Sequence, residues 1–287
     1  MIKKILVKLL PEDKLKKLRY KYRTKRMKLH KPMTEVDFKS VLTDKLNIKK
    51  GDTLFIHSSM DFLNIAFSPF KILDIILDTV GEEGTLIFPS WHVQIRAEDY
   101  LQDKDNLFDM QKSRGVLGLL PELARRRSES QRSIHPINAI VALGKNAKEI
   151  VADHEKSIYP CGELSPYYKM LKYDAKIIGI GVNANFLSFV HCPEDIMRDD
   201  FPMQTRTNQS YIGRVKLPSG EIINVETLAA HKNIQKRNVP GFLKKHVPKN
   251  IFTPYKIRGS EFFVTDANAL FHKMIALAKQ NKTIYNS

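Results

Sequence analysis

The chain has 287 residues, 43% hydrophobic and 9% aromatic, which excludes a disordered or fibrous protein and allows one large domain or two lobes around a shared core. Two cysteines, Cys161 and Cys192, exclude a disulfide scaffold and a four-cysteine metal site, and they fit a reduced compartment. The formal charge is +16, but residues 1–50 hold 17 Lys/Arg against 5 Asp/Glu, so a net +12 of it sits at the start of the chain.

The opening apolar run is cut by Lys8 and by Pro11-Glu12-Asp13, too early for a secretory h-region. No later stretch approaches the roughly 20 apolar residues of a membrane span, so a cytoplasmic protein is expected. Pro11 to about Leu29 reads as a basic helix. Pro11 suits the first helical position and Glu12 and Asp13 suit the positive dipole end, while Leu15, Leu18 and Tyr22 share a face, with Leu29 further along. Residues 1–33 are therefore read as a basic helical extension ahead of a single domain, 34–287. Residues 1–31 can meet an anionic membrane surface, peripheral to the inner face, or lie solvated against the body; nucleic acid is not the expected partner. The sequence says nothing of oligomeric state.

Thr34 caps a helix whose apolar positions are Val36, Val41, Leu42 and Leu46, and Lys49-Lys-Gly-Asp52 is a turn. Thr53–His57 is a buried strand. Ser68-Pro69 opens a helix with the stripe Ile72, Ile75, Ile76, Val80, which Gly81 stops. Thr85–Phe88 is a second strand, and 92–112 is a long polar connection of the kind that lines or covers a site. Helix signals run over Val116–Arg127, Asn146 to about Asp153 and Ser165 to about Leu171, with strands at Ala139–Leu143 and Ala175–Gly181 and a short helix through Phe186–Cys192. Beyond residue 205, Tyr211–Leu217 and Glu221–Val225 flank Pro218-Ser-Gly220 as a hairpin, Glu261–Val264 is a strand, and Asp266 caps a helix to about Lys279. The alternation of strand and helix predicts an α/β protein: a layered mixed sheet flanked by helices, with core blocks over 34–200, a second lobe over about 205–265 and a closing helix 266–280.

Ligands of open α/β sheets bind beyond the carboxyl ends of the strands. The residues found there are His57-Ser58-Ser59, Ser90-Trp91-His92 and Asn183-Ala-Asn185, leading on to His191 and Glu194, with His135-Pro136 just ahead of a strand. Each also has a local role to offer: serines after a strand cap helices, and a histidine before proline can be held by backbone. Gly179-Ile-Gly181 hints at a dinucleotide loop, but Ala184 stands at the third glycine and no acidic residue ends a following strand. Cys192 beside His191 points in a different direction on a helix, which disfavours a thiol nucleophile. There is no phosphate-loop lysine motif, nucleophile elbow or His-Glu-x-x-His helix, and His191-x-x-Glu194 lacks a third ligand, so no metal is expected.

Six blocks in series resemble the aminoglycoside 3-N-acetyltransferase family: Gly51–Met60, Gly81–Trp91, Arg132-Ser-Ile-His-Pro136, Gly162-Glu-Leu-Ser-Pro166, Lys176–Asn185 and His191-Cys-Pro-Glu194. The resemblance covers roughly 34–200 and continues more loosely to the C-terminus. It implies an α/β fold distinct from the GNAT and left-handed β-helix acyltransferases, acetyl-CoA as donor, and a primary amine of an amino sugar as acceptor, an activity associated with antibiotic resistance. An ammonium must lose a proton before it attacks a thioester; the resemblance gives that task to His135, with Glu194 orienting it. Ser59 and Ser90 are candidate donors to the oxyanion. His57, Ser58, Ser59, Ser113, Arg114, Gly115 and Arg132 are candidates for coenzyme A and its phosphates, and Trp91, Asn183 and His191 for the acceptor.

The N-terminal basic helix lies outside the family blocks, and a basic protein is poorly matched to a polycationic acceptor. Both favour an anionic acceptor such as a nucleotide-linked amino sugar or a polysaccharide precursor; the acidic stretch Glu98–Asp109 argues the other way if it borders the cleft. Two alternatives stay open: a nucleic-acid or anionic-membrane binding module on a degenerate enzyme fold, and a nucleotide-sugar or methyl-transfer enzyme using the Gly179–Gly181 turn.

Overall fold

A computed structural model describes residues 12–286. The expected role of Pro11 at a helix start, and the rest of residues 1–11, lie outside the described residues, as does the side chain of Leu15. Ten strands are described: β1 (Thr53–Ser58), β2 (Thr85–Pro89), β3 (Leu107–Asp109), β4 (Gln131–Arg132), β5 (Ile140–Gly144), β6 (Lys176–Ile180), β7 (Arg206–Lys216), β8 (Ile222–Ala230), β9 (Phe252–Ile257) and β10 (Ser260–Asp266).

Seven strands form one mixed sheet in the order β4-β5-β2-β1-β6-β10-β9, and β3-β7-β8 form a second, smaller sheet. In the large sheet β2, β1 and β6 are parallel, and β5 and β10 flank them antiparallel. Successive residues of these strands enter opposite cores. Phe55, Ile87, Ala142 and Ile177 join one cluster, while Leu54, Ile56, Leu86, Phe88, Val141, Ile178 and Ile180 join the other. Burial on both faces is why the strands read as continuous apolar runs rather than as alternating ones. The helix Ile72–Val80 seals one face with Ile72, Leu73, Ile76 and Val80, each within 1% of full burial; a fully buried aliphatic side chain contributes about 1.5–3 kcal/mol.

Several sequence expectations shift. Val36 is 79% exposed and belongs to no apolar face, while Val41 and Leu42 are buried where the helix Glu35–Ser40 widens into a π turn. The helix expected from Val116 starts only at Leu119, because Gly118 at φ +102° breaks it. The helix expected over Phe186–Cys192 is instead two short turns followed by the helix His191–Met197, which puts His191 and Glu194 in its first turn. Strands β3, β4 and β9 and the helix Val239–His246 carry no strong sequence signal. The stretch 205–265 is divided between the sheets: β7 and β8 build the small one, whereas β9 and β10 return to the large one.

The basic helix spans Glu12–Met27. Its expected apolar face is not its contact face, since Leu18 and Tyr22 are exposed and Leu29 is 78% exposed. It docks through Met27 and Arg23. The Arg23 guanidinium donates to the Gly181 carbonyl at 3.1 Å, pairs with Glu261 at 2.6 Å and stacks 3.9 Å over the Phe62 ring.

Candidate active site

The carboxyl ends of β1 and β2, together with the loop after β6, border a cleft of about 500 Å³. Two backbone devices shape it. The Ser59 amide donates to the Ile180 carbonyl at 3.0 Å, and Gly181 at φ +70° passes so close that a Cβ there would lie 2.2 Å from the Ser59 carbonyl oxygen. Gly179 faces the Phe263 ring, where a Cβ would approach to 2.2 Å. Packing thus explains both glycines of the Gly179-Ile-Gly181 turn without a dinucleotide.

His57, Ser58, Ser59 and Trp91 line the cleft, as the sequence placed them, along with Val116–Leu119. Burial against Phe55, 4.7 Å between ring centres, drives the His57 imidazole down to about 3, so it is neutral near pH 7. Its Nε2 has no hydrogen-bond partner among the described residues, while the Trp91 side chain lies within hydrogen-bonding reach of the Tyr167 hydroxyl.

Beside the cleft-lining Arg237 stands an imidazole–carboxylate pair that the sequence reading divided differently. Glu194 Oε2 is 2.8 Å from His191 Nδ1, and Glu194 Oε1 accepts from the Tyr285 hydroxyl at 2.8 Å. Both carboxylate oxygens are therefore occupied, and the imidazole that Glu194 orients is His191 rather than His135. His191 Nε2 faces the Arg237 guanidinium at 3.1 Å, and Arg237 lines the cleft. Arginine can only donate, so the Nε2 lone pair accepts from Arg237 and Nδ1 carries the proton toward Glu194. Burial beside Glu194 pushes the Tyr285 phenol up, which keeps its proton on the hydroxyl that serves Glu194.

His135 sits elsewhere. It is fully buried, its Nδ1 accepts from the Ile137 and Asn138 amides at 3.3 and 3.0 Å, and Nε2 meets the Thr227 hydroxyl at 3.2 Å. Its ring stacks on His154, 4.4 Å between centres, and burial together with His154 and Arg206 holds it well below the usual imidazole range. With its lone pair already spent on two amides, His135 fixes the turn before β5 and ties it to β8. That is why histidine precedes Pro136.

The remaining candidates divide. Ser90 is 1% exposed and packs toward Gly115, so it presents no donor to the cleft. Arg132 donates to the carbonyls of Met110, Ser113 and Ser90 and lies 4.5 Å over Phe108, stapling the 110–113 loop to the end of β2. Ser113 Oγ accepts from the Asp109 amide. Gly115 and the exposed Arg114 adjoin the cleft-lining segment that begins at Val116. Asn183 caps the turn 184–186 and reaches Glu261, leaving Asn185 and Phe186 to face the cleft. The acidic stretch is used locally: Glu98 meets Arg96 and Tyr211, Asp109 accepts from the Gln111 and Lys112 amides, and no carboxylate of 98–109 lines the cleft.

Sequence reasoning missed Tyr285, Arg237 and the clamp beneath the pair. Asp195 is fully buried and takes a bidentate grip from Arg206 of β7, 2.7 Å at each oxygen, plus the Cys161 amide at 2.8 Å. This clamp ties the His191–Met197 helix to the small sheet. The adjacent acids Glu194-Asp195 in an apolar helix were a usable signal; nothing in the spacing announces Tyr285 or Arg237.

A family model described as aminoglycoside 3-N-acetyltransferase matches residues 55–277. Aminoglycoside N(3)-acetyltransferase IX of Micromonospora chalcea is 27% identical over 180 residues, 57% of this chain and 62% of that protein. A prophage-derived aminoglycoside N(3')-acetyltransferase-like protein of Bacillus subtilis is 26% identical over 166 residues, 52% and 60%. The matches thus span about three fifths of these relatives' length. Among solved structures, aminoglycoside acetyltransferase AAC(3)-Xa superposes with a TM-score of 0.76 at 18% identity, covering 93% of this chain and 99% of that one. AAC-IIIb, solved as a binary complex with CoASH, gives 0.71 at 21%, covering 87% and 97%. The mixed sheet, the order of the blocks and the extent of the match agree: the chain belongs to the aminoglycoside 3-N-acetyltransferase family.

Proposed function

We propose that the protein is an N-acetyltransferase that moves an acetyl group from acetyl-CoA directly to a primary amine of an amino sugar, with His191 as the general base. The observation that carries this is the Tyr285–Glu194–His191 chain, whose imidazole lone pair meets Arg237, a residue that lines the cleft. An amine is delivered as its ammonium ion and must be deprotonated; a neutral imidazole held by a carboxylate does that and stabilises the imidazolium that results. Arg237 now donates to that lone pair, and the acceptor's N–H takes its place. The cleft falls within the roughly 300–1,000 Å³ of ligand sites, and the 116–119 wall facing β1 suits an extended pantetheine arm. Arg114 beside that wall supplies a cation for the phosphates.

A thiol-release assay with acetyl-CoA and a panel of amines tests the reading. Turnover with an amino sugar, lost roughly 10²-fold or more in His191→Ala, is expected; no thiol release with any amine would refute it.

Charge favours one class of acceptor. Asp61 is the single carboxylate among the residues lining the cleft, which Arg237 also lines, a poor lining for a polycation. This supports an acceptor whose amine sits near negative charge, such as a nucleotide-linked amino sugar or a polysaccharide precursor, and a higher kcat/KM for an aminoglycoside would refute that part. The exposed Leu18, Tyr22 and Leu29 among exposed lysines likewise support contact of the basic helix with an anionic lipid surface on the cytoplasmic side. Cosedimentation with anionic but not neutral vesicles is the expected result; equal recovery with both would count against it.

A further inference from the structure

The basic helix Glu12–Met27 lies outside the family match, yet its docked face reaches the turns that border the cleft. Arg23, Thr24 and Met27 share one helical face and are less exposed than Lys14, Lys17, Lys21 and Lys25. The end of the helix is held by the buried Asn64. Its side-chain amide donates to the Met27, His30 and Arg258 carbonyls at 3.2, 3.0 and 3.0 Å, and its backbone N–H donates to Ser260 Oγ at 2.8 Å. The last carbonyls of a helix have no partner within it, so Asn64 satisfies them and ties the helix to the β9–β10 hairpin.

One turn earlier, Arg23 touches two segments that line the cleft. Its guanidinium lies 3.9 Å over Phe62, the last residue of the turn Met60–Phe62, and Met60 and Asp61 line the cleft. The Tyr20 ring meets the same Phe62 edge-on at 5.3 Å. The guanidinium also donates to the Gly181 carbonyl at 3.1 Å and pairs with Glu261 Oε2 at 2.6 Å. Asn183 donates to that same oxygen at 3.4 Å, while its Oδ1 accepts from the Asn185 amide at 3.1 Å. Asn185 and Phe186, of the turn Ala184–Phe186, line the cleft.

We infer that Arg23 is a positioning residue of the cleft: it fixes the Met60–Phe62 and Ala184–Phe186 turns relative to one another for the coenzyme, which makes the N-terminal helix part of the working unit. The inference rests on the coenzyme reading above. Arg23 is not among the residues lining the cleft, so it acts through the two turns and not on the reacting atoms. A guanidinium suits the task, because it presents several donors in one plane and stacks on an aromatic face at the same time. Without it the turns gain freedom that a ligand must remove on binding, which weakens binding rather than slowing chemistry.

Calorimetric titration with CoA tests this on the full-length wild type, Arg23→Met and Glu261→Gln. Arg23→Met is expected to raise Kd roughly five- to tenfold at unchanged stoichiometry, and KM for acetyl-CoA by a similar factor, with kcat kept within about twofold. Glu261→Gln removes the charge that Arg23 pairs with but keeps an oxygen for Asn183, and it raises Kd by a smaller factor; it decides the matter if Arg23→Met does not fold. A merely structural role lowers the stoichiometry, as unfolded molecules drop out, and leaves the Kd of the remainder unchanged. That result, or a wild-type Kd in both variants, overturns the inference and leaves the coenzyme reading intact. No binding of CoA by the wild type overturns both.

Discussion

Replacing His57 with leucine should make the protein less sensitive to acid. In the folded state this imidazole is 4% exposed and titrates at about 3, whereas in the unfolded chain it titrates near its ordinary 6.5. Between those values only the unfolded state binds the proton. The stability His57 contributes is therefore fully present above pH 6.5 and is lost as pH falls toward 3, by up to about 1.4 kcal/mol per pH unit. Integrated from pH 7 to pH 5 this is about 2 kcal/mol. Leucine fills a similar volume against Phe55 and Phe263 and, because Nε2 has no partner among the described residues, breaks no hydrogen bond with them. His135 and His154, also buried with lowered values, titrate in both proteins and cancel. Urea unfolding of the wild type and His57→Leu at pH 7, 6 and 5 measures the difference. Their free energies should converge, or the variant should overtake, by about 2 kcal/mol across that range. Parallel curves would show that His57 is solvated or charged in the folded state and would refute the neutral imidazole wall of the cleft.

Three further outcomes are expected. Glu194→Gln should lower kcat about 10²-fold or more, because an amide holds the His191 tautomer without stabilising the imidazolium, and a wild-type rate would remove Glu194 from the mechanism. His135→Ala should act on stability instead, by about 1–3 kcal/mol for each amide left without its acceptor, with kcat per folded molecule retained; a well-folded but inactive variant would return the base role to His135. Arg206→Met should cost about 3–5 kcal/mol in urea unfolding, since it strands the buried Asp195 carboxylate, and a loss below about 1 kcal/mol would show that the clamp is not a paired buried charge.

Much of the molecule was legible in one dimension. Apolar runs ended by polar clusters located β1, β2, β5 and β6, and the rule that ligands gather at carboxyl strand ends pointed to His57–Ser59 and Trp91, all of which line the cleft. The His191-x-x-Glu194 spacing was also visible, because i and i+3 on a helix face one another and the pair bonds at 2.8 Å. What the sequence could not decide was which imidazole Glu194 holds. Both histidines sit in polar motifs, and only burial and partners separate them: one lone pair is used up by two backbone amides, the other meets Arg237, a side chain that lines the cleft.

The local and periodic features were set by the chain itself: strand runs, helix caps, the glycines that a close approach demands, and the basic helix outside the family blocks. Tertiary structure alone decided the rest. Tyr285 reaches Glu194 across 91 positions, and Arg206 crosses from the small sheet to Asp195. Trp91, Ser188 and Tyr167, which meet beside the cleft, come from three separate segments. Such contacts depend on where the sheets bring distant segments together, and a buried polar group takes its meaning from the partner it finds or lacks there, which no local spacing encodes.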